Sequence, residues 1–362
     1  MSLARISFTE KIGFHKELKT RINDYFKSKN LSKTGGWRIL VKSLFIAALI
    51  TTSYISLVFY ADSVMMVLVS AFFLAQGYVL VGFNIMHDSV HGSFSKSRVL
   101  NKVLGYTLNI MGGSQRLWYH KHNVLHHTYT NIAGVDTDLE SDGLLRLSPN
   151  QEWKPWHRFQ LIYALPIYGF LTLSMVLVTD YSKFFSNSIG PYKMPKATAT
   201  ESALFFITKV VYFFYTLVLP MFFHPVLYVL AVFFLVHFIL GLTMSIVFQL
   251  AHTVEENDFP VAQIPENIIE NEWAIHQVET TANFSPKSHF ANWYMGGLNF
   301  QIEHHLFAKI SHVHYRKVSA IVKQTCKDFG ISYTSYPSMF KAFQTHWNFL
   351  KEMSRKPVLQ RV

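Results

Sequence analysis

Seven of the chain's 18 histidines fall in three short stretches: His87-Asp-Ser-Val-His91, His122-Asn-Val-Leu-His126-His127 and Gln301-Ile-Glu-His304-His305. His87 and His91 are four apart, as are His122 and His126, so on a helix each pair shares one face. His127 lies one step further round. Gln301 stands three before His304 and four before His305, so these three share a broad face. Such spacing lets one helix offer two or three ligands to neighbouring ions, and imidazole nitrogen suits iron, zinc and copper. His252, directly after a long apolar run, makes an eighth candidate ligand. Eight are too many for one ion, which implies two. Asp88, Asn123 and Glu303 are placed to orient the ring N–H groups of these histidines. An isolated HxxxH arises by chance in a histidine-rich chain, and a lone His at the end of an apolar run is more often a hydrogen-bonder. Three clusters at matching ends of apolar segments are much harder to dismiss.

The elements that must bring these clusters together are apolar. Half of the 362 residues are hydrophobic, mean hydropathy is +0.18, and there are 32 Phe and 18 Tyr. That composition points to insertion in a membrane. Residues 37–60, 64–86, 203–223 and 225–251 are each long enough to cross a hydrocarbon core of about 30 Å at about 1.5 Å per residue. The links at 61–63 and 224 are very short, so the expected architecture is an all-α integral membrane protein with four transmembrane helices in two hairpins. Eight Lys or Arg precede Trp37, which puts the N-terminus in the cytoplasm. Residues 156–179 are also apolar but are interrupted by Pro166 and Gly169. All three clusters must share a compartment if they form one site, so this segment crosses an even number of times: it lies in the interface, or dips in and out at Pro166. Both termini and all clusters are then cytoplasmic, and the clusters sit in a helical cap.

Three segments follow from this reading: an N-terminal cytosolic or interfacial segment 1–36, a membrane domain 37–330, and a C-terminal cytosolic helical tail 331–362. Within 8–28, Phe8, Ile12, Leu18, Ile22, Tyr25 and Phe26 form a helical stripe among lysines. It fits equally a helix lying on an anionic membrane and a helix packed on the cytosolic body. Two more helices are expected at about 313–328 and 338–353. The net charge of +11 could suit nucleic acid, but the basic residues flank apolar runs and are better explained by retention on the cytoplasmic side, so no nucleic-acid partner is expected. The single cysteine, Cys326, excludes an intrachain disulfide and a cysteine-based zinc or iron–sulfur site. Residues 1–36 do not read as a cleavable signal peptide. His237, inside an aromatic run, is expected to be a hydrogen-bonded packing residue, although it could line a cavity. His120, His276, His289, His312 and His314 have no expected role.

HDSVH, HNVLHH and QIEHH closely resemble the three histidine boxes of the membrane-bound fatty acid desaturase family. Glutamine at the head of the third box resembles the front-end branch, which includes delta-6 and delta-5 type acyl desaturases. The connecting text is similar too: Thr128 to Asn131, Gly134 to Asp138, Gln277 to Phe284 and Trp293 to Phe300. The resemblance covers roughly residues 35–330. It implies a di-iron centre at the cytoplasmic membrane face, held by His87, His91, His122, His126, His127, His252, His304 and His305, with Gln301 completing or supporting one site. It implies O2, two electrons, and removal of two hydrogens from an acyl chain carried as acyl-CoA or acyl-lipid. Asp136 and Asp138 join Asp88, Asn123 and Glu303 as candidates for orienting the ligands, or else they cap a loop. Many front-end desaturases carry a fused cytochrome b5 domain with a His-Pro-Gly-Gly motif, and this sequence has none. The resemblance then implies a separate electron carrier, either ferredoxin or cytochrome b5 with its reductase, and fits a bacterial inner-membrane enzyme. Where acyl-CoA desaturases have an asparagine four residues before the equivalent of His252, this chain has Phe248.

The residues themselves agree with that chemistry. An unactivated methylene has no acidic proton, so acid–base catalysis cannot break its C–H bond and a metal centre must supply the oxidation. A hydroxylase or acetylenase acting on a lipid shares the same boxes. A histidine-rich membrane metal-binding or transport protein is a different class, and it predicts ligands inside the spans and on opposite faces. Arg116 and Lys121 read as cytoplasmic-side charges rather than as contacts for an acyl carrier.

Overall fold

Apolar runs set the frame, and short polar segments are folded back over one end of it. A computed structural model describes residues 6–139, 141–263 and 266–357; the outer ends of the first and last expected segments, 1–5 and 358–362, lie outside the described residues. Helix α1 (Phe14–Ser28) buries Phe14, Leu18, Ile22 and Phe26. They recur every four residues and meet Val318, Val322 and Cys326, so the stripe packs on the protein body. The Glu272 carboxylate accepts from the backbone N–H groups of Gly13, Phe14 and His15 at 3.1, 3.3 and 2.6 Å. These are donors that a helix start leaves unpaired, and a negative charge there is favourable.

Helices α2 (Gly36–Tyr60) and α3 (Val64–Val90) follow, joined by three residues and packed along each other. The Ser63 hydroxyl accepts from Met66 N and starts α3. Trp37, Leu44 and Val64 on their outer faces are more than two-thirds exposed, as lipid-facing side chains would be. The run 115–129, here α4, carries the second box. Next come α5 (Pro155–Gly169) and α6 (Leu171–Ser186), bent at 57° to each other. Pro166 was the expected break, yet it lies inside α5 and the bend falls at Phe170. The elbow seats closely on α8: a Cβ on Gly241 would stand 2.5 Å from the Gly169 carbonyl oxygen, so only glycine lets it pack there.

Helices α7 (Ala199–Met221) and α8 (Val226–His252) complete the four that are long and apolar enough to cross a membrane; the bent pair passes the same test of length and composition if taken as one. Helix α7 starts four residues earlier than the apolar run, because Thr198 and Glu201 form a reciprocal capping box. Helix α8 packs chiefly on α3, α5 and α6 rather than along α7. Beyond it lie α9 (Trp273–Glu279), α10 (Gln301–Leu306), α11 (Tyr315–Asp328) and α12 (Met339–Ser354). The last packs against α5 and α8. The described chain is mostly helical, but not all-α as expected: residues 7–8 pair with 268–269, 188–189 with 192–193, and 283–284 with 335–336. Each pairing is two residues long; the first and third join segments far apart in sequence, and the second closes a local hairpin.

Candidate metal centre

Box histidines arrive from four directions at one end of the apolar helices. His87 and His91 sit at and just past the end of α3, after a stretch of wider, π-helical turns at Val81–Met86. The second box is itself π-helical over Tyr119–His126. With i→i+5 bonding the turn is wider than in an α-helix, so His126 and His127 both fall beside His122, with ring centroids 5.2 and 4.7 Å away. The sequence reading had placed His127 one step round an α-helix. His252 is the last residue of α8, and α10 carries Gln301, His304 and His305. Gly296 makes this possible: its φ is +57°, and a Cβ there would lie 2.1 Å from the Phe83 carbonyl oxygen on α3. A side chain at 296 would push the third box away from the first.

All eight expected histidines are buried, and the structure brings them together. His87, His91, His122 and His304 each offer one nitrogen within 4.8 Å of the others, and so do His126, His252 and His305. His127 lies between the two sets. Its Nε2 is 3.2 Å from His122 Nε2, and its ring stacks 4.4 Å from His305. His122 Nε2 is in turn 3.3 Å from His87 Nε2. Nitrogens bound to one ion at about 2 Å lie about 3–4 Å apart, so these spacings are close to those of a metal site.

The donor chemistry passes the same test. The Nε2 atoms of His91 and His304 and the Gln301 Oε1 are buried without a hydrogen-bond partner among the described residues. Buried polar atoms left so are costly, unless a cation is to be faced. Burial, followed by neighbouring imidazoles, holds His91, His127, His304 and His305 well below the usual histidine range. His122 is pushed down to about 4, mainly by burial. Neutral imidazoles are what a metal requires. At His126 burial lowers the pKa, but Asp136 and Asp138 together outweigh it and raise it.

Behind the rings, the expected orienting residues divide. Asp136 Oδ2 accepts from His126 Nδ1 at 2.9 Å and from Asn131 N at 3.0 Å, so it orients a ring and caps a loop at once. Asp138 lies 3.4 Å from His126 Nδ1 and 3.8 Å from His122 Nδ1, and is paired with Lys121 at 2.5 Å. Asp88 does not touch a box histidine through its carboxylate; Oδ2 accepts from Ser311 Oγ at 2.7 Å and His312 Nδ1 at 3.0 Å. Asn123 Nδ2 donates to the Val90 carbonyl at 3.2 Å, tying the second box to the first. Glu303 accepts from Asn283 Nδ2 and Tyr333 OH, both at 2.8 Å, and burial pushes its pKa up to about 7. The Gln301 amide lies beside the second set, with Nε2 2.9 Å from His252 Nε2 and 3.5 Å from His305 Nε2.

Several contacts to the rings went unread in the sequence. Tyr315 OH lies 3.2 Å from His304 Nδ1, and Gln277 Oε1 is 2.8 Å from His305 Nδ1. His312 bridges Asp88 to Lys42, whose Nζ is 3.4 Å from His312 Nε2. Asn131 Nδ2 donates to the His252 carbonyl at 2.9 Å. Gln277 and Asn131 stood in the connecting text of the resemblance, which was the available signal. His237 does both things open to it: Nδ1 is 3.0 Å from Thr172 Oγ1, Nε2 meets Tyr212 OH, and the ring lines an apolar cavity of about 50 Å³ with Leu57, Leu74, Val232, Phe233 and Val236.

Comparison with known proteins decides the family. The model of the family described as "Fatty acid desaturase" matches residues 62–337. The chain belongs to the fatty acid desaturase family. The desaturase is 35% identical to the sn-1 linoleoyl-lipid 6-desaturase of Arthrospira platensis, over 98% of this chain and 96% of that one. It is 33% identical to the protein of the same name from Synechocystis, over 98% and 99%. With the acyl-lipid (8-3)-desaturase of Physcomitrium patens it shares 35% identity over 95% of this chain and 72% of that protein. It is therefore a membrane-associated oxidoreductase that introduces double bonds into fatty acyl chains, with histidine clusters able to hold metal.

Proposed function

We propose that this desaturase is a front-end enzyme acting on lipid-linked acyl chains, with two irons held by the eight histidines. The observation that carries the reading is the pair of buried histidine sets, the first with unpartnered Nε2 atoms on His91 and His304, in a chain whose relatives are named as lipid desaturases. His87, His91, His122 and His304 hold one ion. His126, His252 and His305 would hold the other, with the Gln301 amide beside it, and His127 lies between the two sets. Bound iron supplies the O2-dependent oxidation that removes two hydrogens from adjacent methylenes, while O2 takes up two electrons and two protons.

The chain's own residues orient, exclude and admit. Asp136 keeps the proton of His126 on Nδ1, so that Nε2 faces the ion. Box histidines that are 0–9% exposed keep bulk water from the site. The four long helices form two membrane hairpins with both termini and the site cytoplasmic, in a bacterial inner membrane; the apolar outer faces of α2 and α3 support the membrane setting. An acyl chain enters from the bilayer without crossing bulk water. Electrons come from a separate carrier, ferredoxin or cytochrome b5 with its reductase.

Expression in a desaturase-poor bacterial host, followed by gas chromatography–mass spectrometry of lipid double-bond positions, tests the reading. The control is the His304→Ala, His305→Ala double variant at equal abundance. New double bonds between the carboxyl end and an existing double bond, lost in the variant, are expected. Hydroxylated chains lost in the variant would make it a hydroxylase. Unchanged lipids, with donor supplied and two irons per chain measured, would overturn the substrate class.

A further inference from the structure

We infer that Gln277 is a positioning residue that fixes the imidazole of His305 from behind, as a neutral acceptor. The inference rests on the two-ion reading above. Gln277 is fully buried on α9. Its Oε1 lies 2.8 Å from His305 Nδ1 and 2.9 Å from Thr130 Oγ1. An amide oxygen only accepts, so the ring proton of His305 sits on Nδ1 and Nε2 is left bare. That Nε2 is the atom lying 3.5 Å from the Gln301 amide, on the side of the three-histidine set.

Thr130 extends the grip to the second box. Its hydroxyl lies 2.7 Å from the His126 carbonyl as well as 2.9 Å from Gln277 Oε1 and 3.1 Å from His305 Nδ1. One amide and one hydroxyl thus hold the backbone at His126 and the ring of His305 in register, although the two boxes are far apart in sequence. The Gln277 Nε2, in contrast, has no hydrogen-bond partner among the described residues. A buried donor left open costs stability, so the side chain is kept for its oxygen. Within one set, then, His126 is backed by the Asp136 carboxylate and His305 by a neutral amide. A carboxylate behind an imidazole donates more charge to the metal than an amide does. Gln277 orients its ring without adding a further negative charge to those of Asp136 and Asp138 beside His126.

The test uses the full-length protein in detergent, loaded with Co(II) against a competing chelator and followed by visible absorption. Gln277→Met keeps length and removes the acceptor; Gln277→Glu keeps the acceptor and adds charge. Wild type is expected to take two ions per chain. Gln277→Met weakens one of them by about 10–100-fold and leaves the other unchanged. Gln277→Glu restores the affinity of that ion but shifts its absorption bands from the wild-type position. The inference is overturned if Gln277→Met binds both ions as wild type does, if it weakens both equally with a lowered melting temperature, or if Gln277→Glu fails to restore binding. Fewer than two ions in wild type would sink the two-ion reading itself, and this inference with it, before any variant is compared.

Discussion

His87, His91, His122 and His304 lean on one another, whereas His126, His252 and His305 are held from outside. In the first set the rings pack together and on Trp118, which stacks 4.2 Å from His122, with the Tyr315 hydroxyl behind His304. In the second set a carboxylate stands behind His126, one amide behind His305 and another beside His252. The difference concerns charge. A divalent ion at the second set would have Asp136 one imidazole away. At the first, Asp138 stands 3.8 Å from His122 Nδ1 but is paired with Lys121, and Asp88 is reached through Ser311 and His312, away from the rings. The first set should therefore depend on having all its imidazoles, and the second on what stands behind them.

Removing a ring from the first set should have the largest effect. His91→Ala takes away a nitrogen that no hydrogen bond occupies, and should lower iron to one per chain and abolish product, with the remaining ion's affinity unchanged. The loss at that set should exceed the 10–100-fold typical of outer partners; iron analysis after chelator dialysis measures it. Retention of two ions would break the assignment of His91. Asp136→Asn should come next, weakening metal at the second set by about 10–100-fold. The comparison sharpens with Asp88→Asn, which should change metal affinity less than about tenfold because its partners are Ser311 and His312. Equal losses in the two aspartate variants would erase the distinction drawn here.

The sequence shows periodic features well and sideways ones poorly. The four long apolar helices were visible to within a few residues, and seven histidines stood out by spacing alone. Asp88 and Glu303 were read as orienting box histidines, but adjacent helical residues point in different directions. Asp88 turns to His312, 224 residues away, and Glu303 to Asn283 and Tyr333. Gln277 and Tyr315 reach box histidines across 28 and 11 residues, and no local pattern announces such contacts. The close seat of the elbow at Gly169 is of the same kind, since it depends on Gly241 on another helix.

Gln301 gives the finest test of the comparison. It is three residues before His304 and four before His305 on α10, buried, with Nε2 2.9 Å from His252 Nε2 and an unpartnered oxygen. An amide oxygen is a weaker ligand than imidazole for a first-row metal. Gln301→His would give the second set a fourth ring and make the two sets alike in donor number. The affinities of the two ions should then converge, with the second rising by about tenfold or less, because only one of its contacts changes and Asp136 and Gln277 still hold the others. Chelator competition on the variant and wild type reads this directly. If the second affinity does not move, the Gln301 side chain lies outside the ion's reach, and the asymmetry between the sets rests on Asp136 and Gln277 alone.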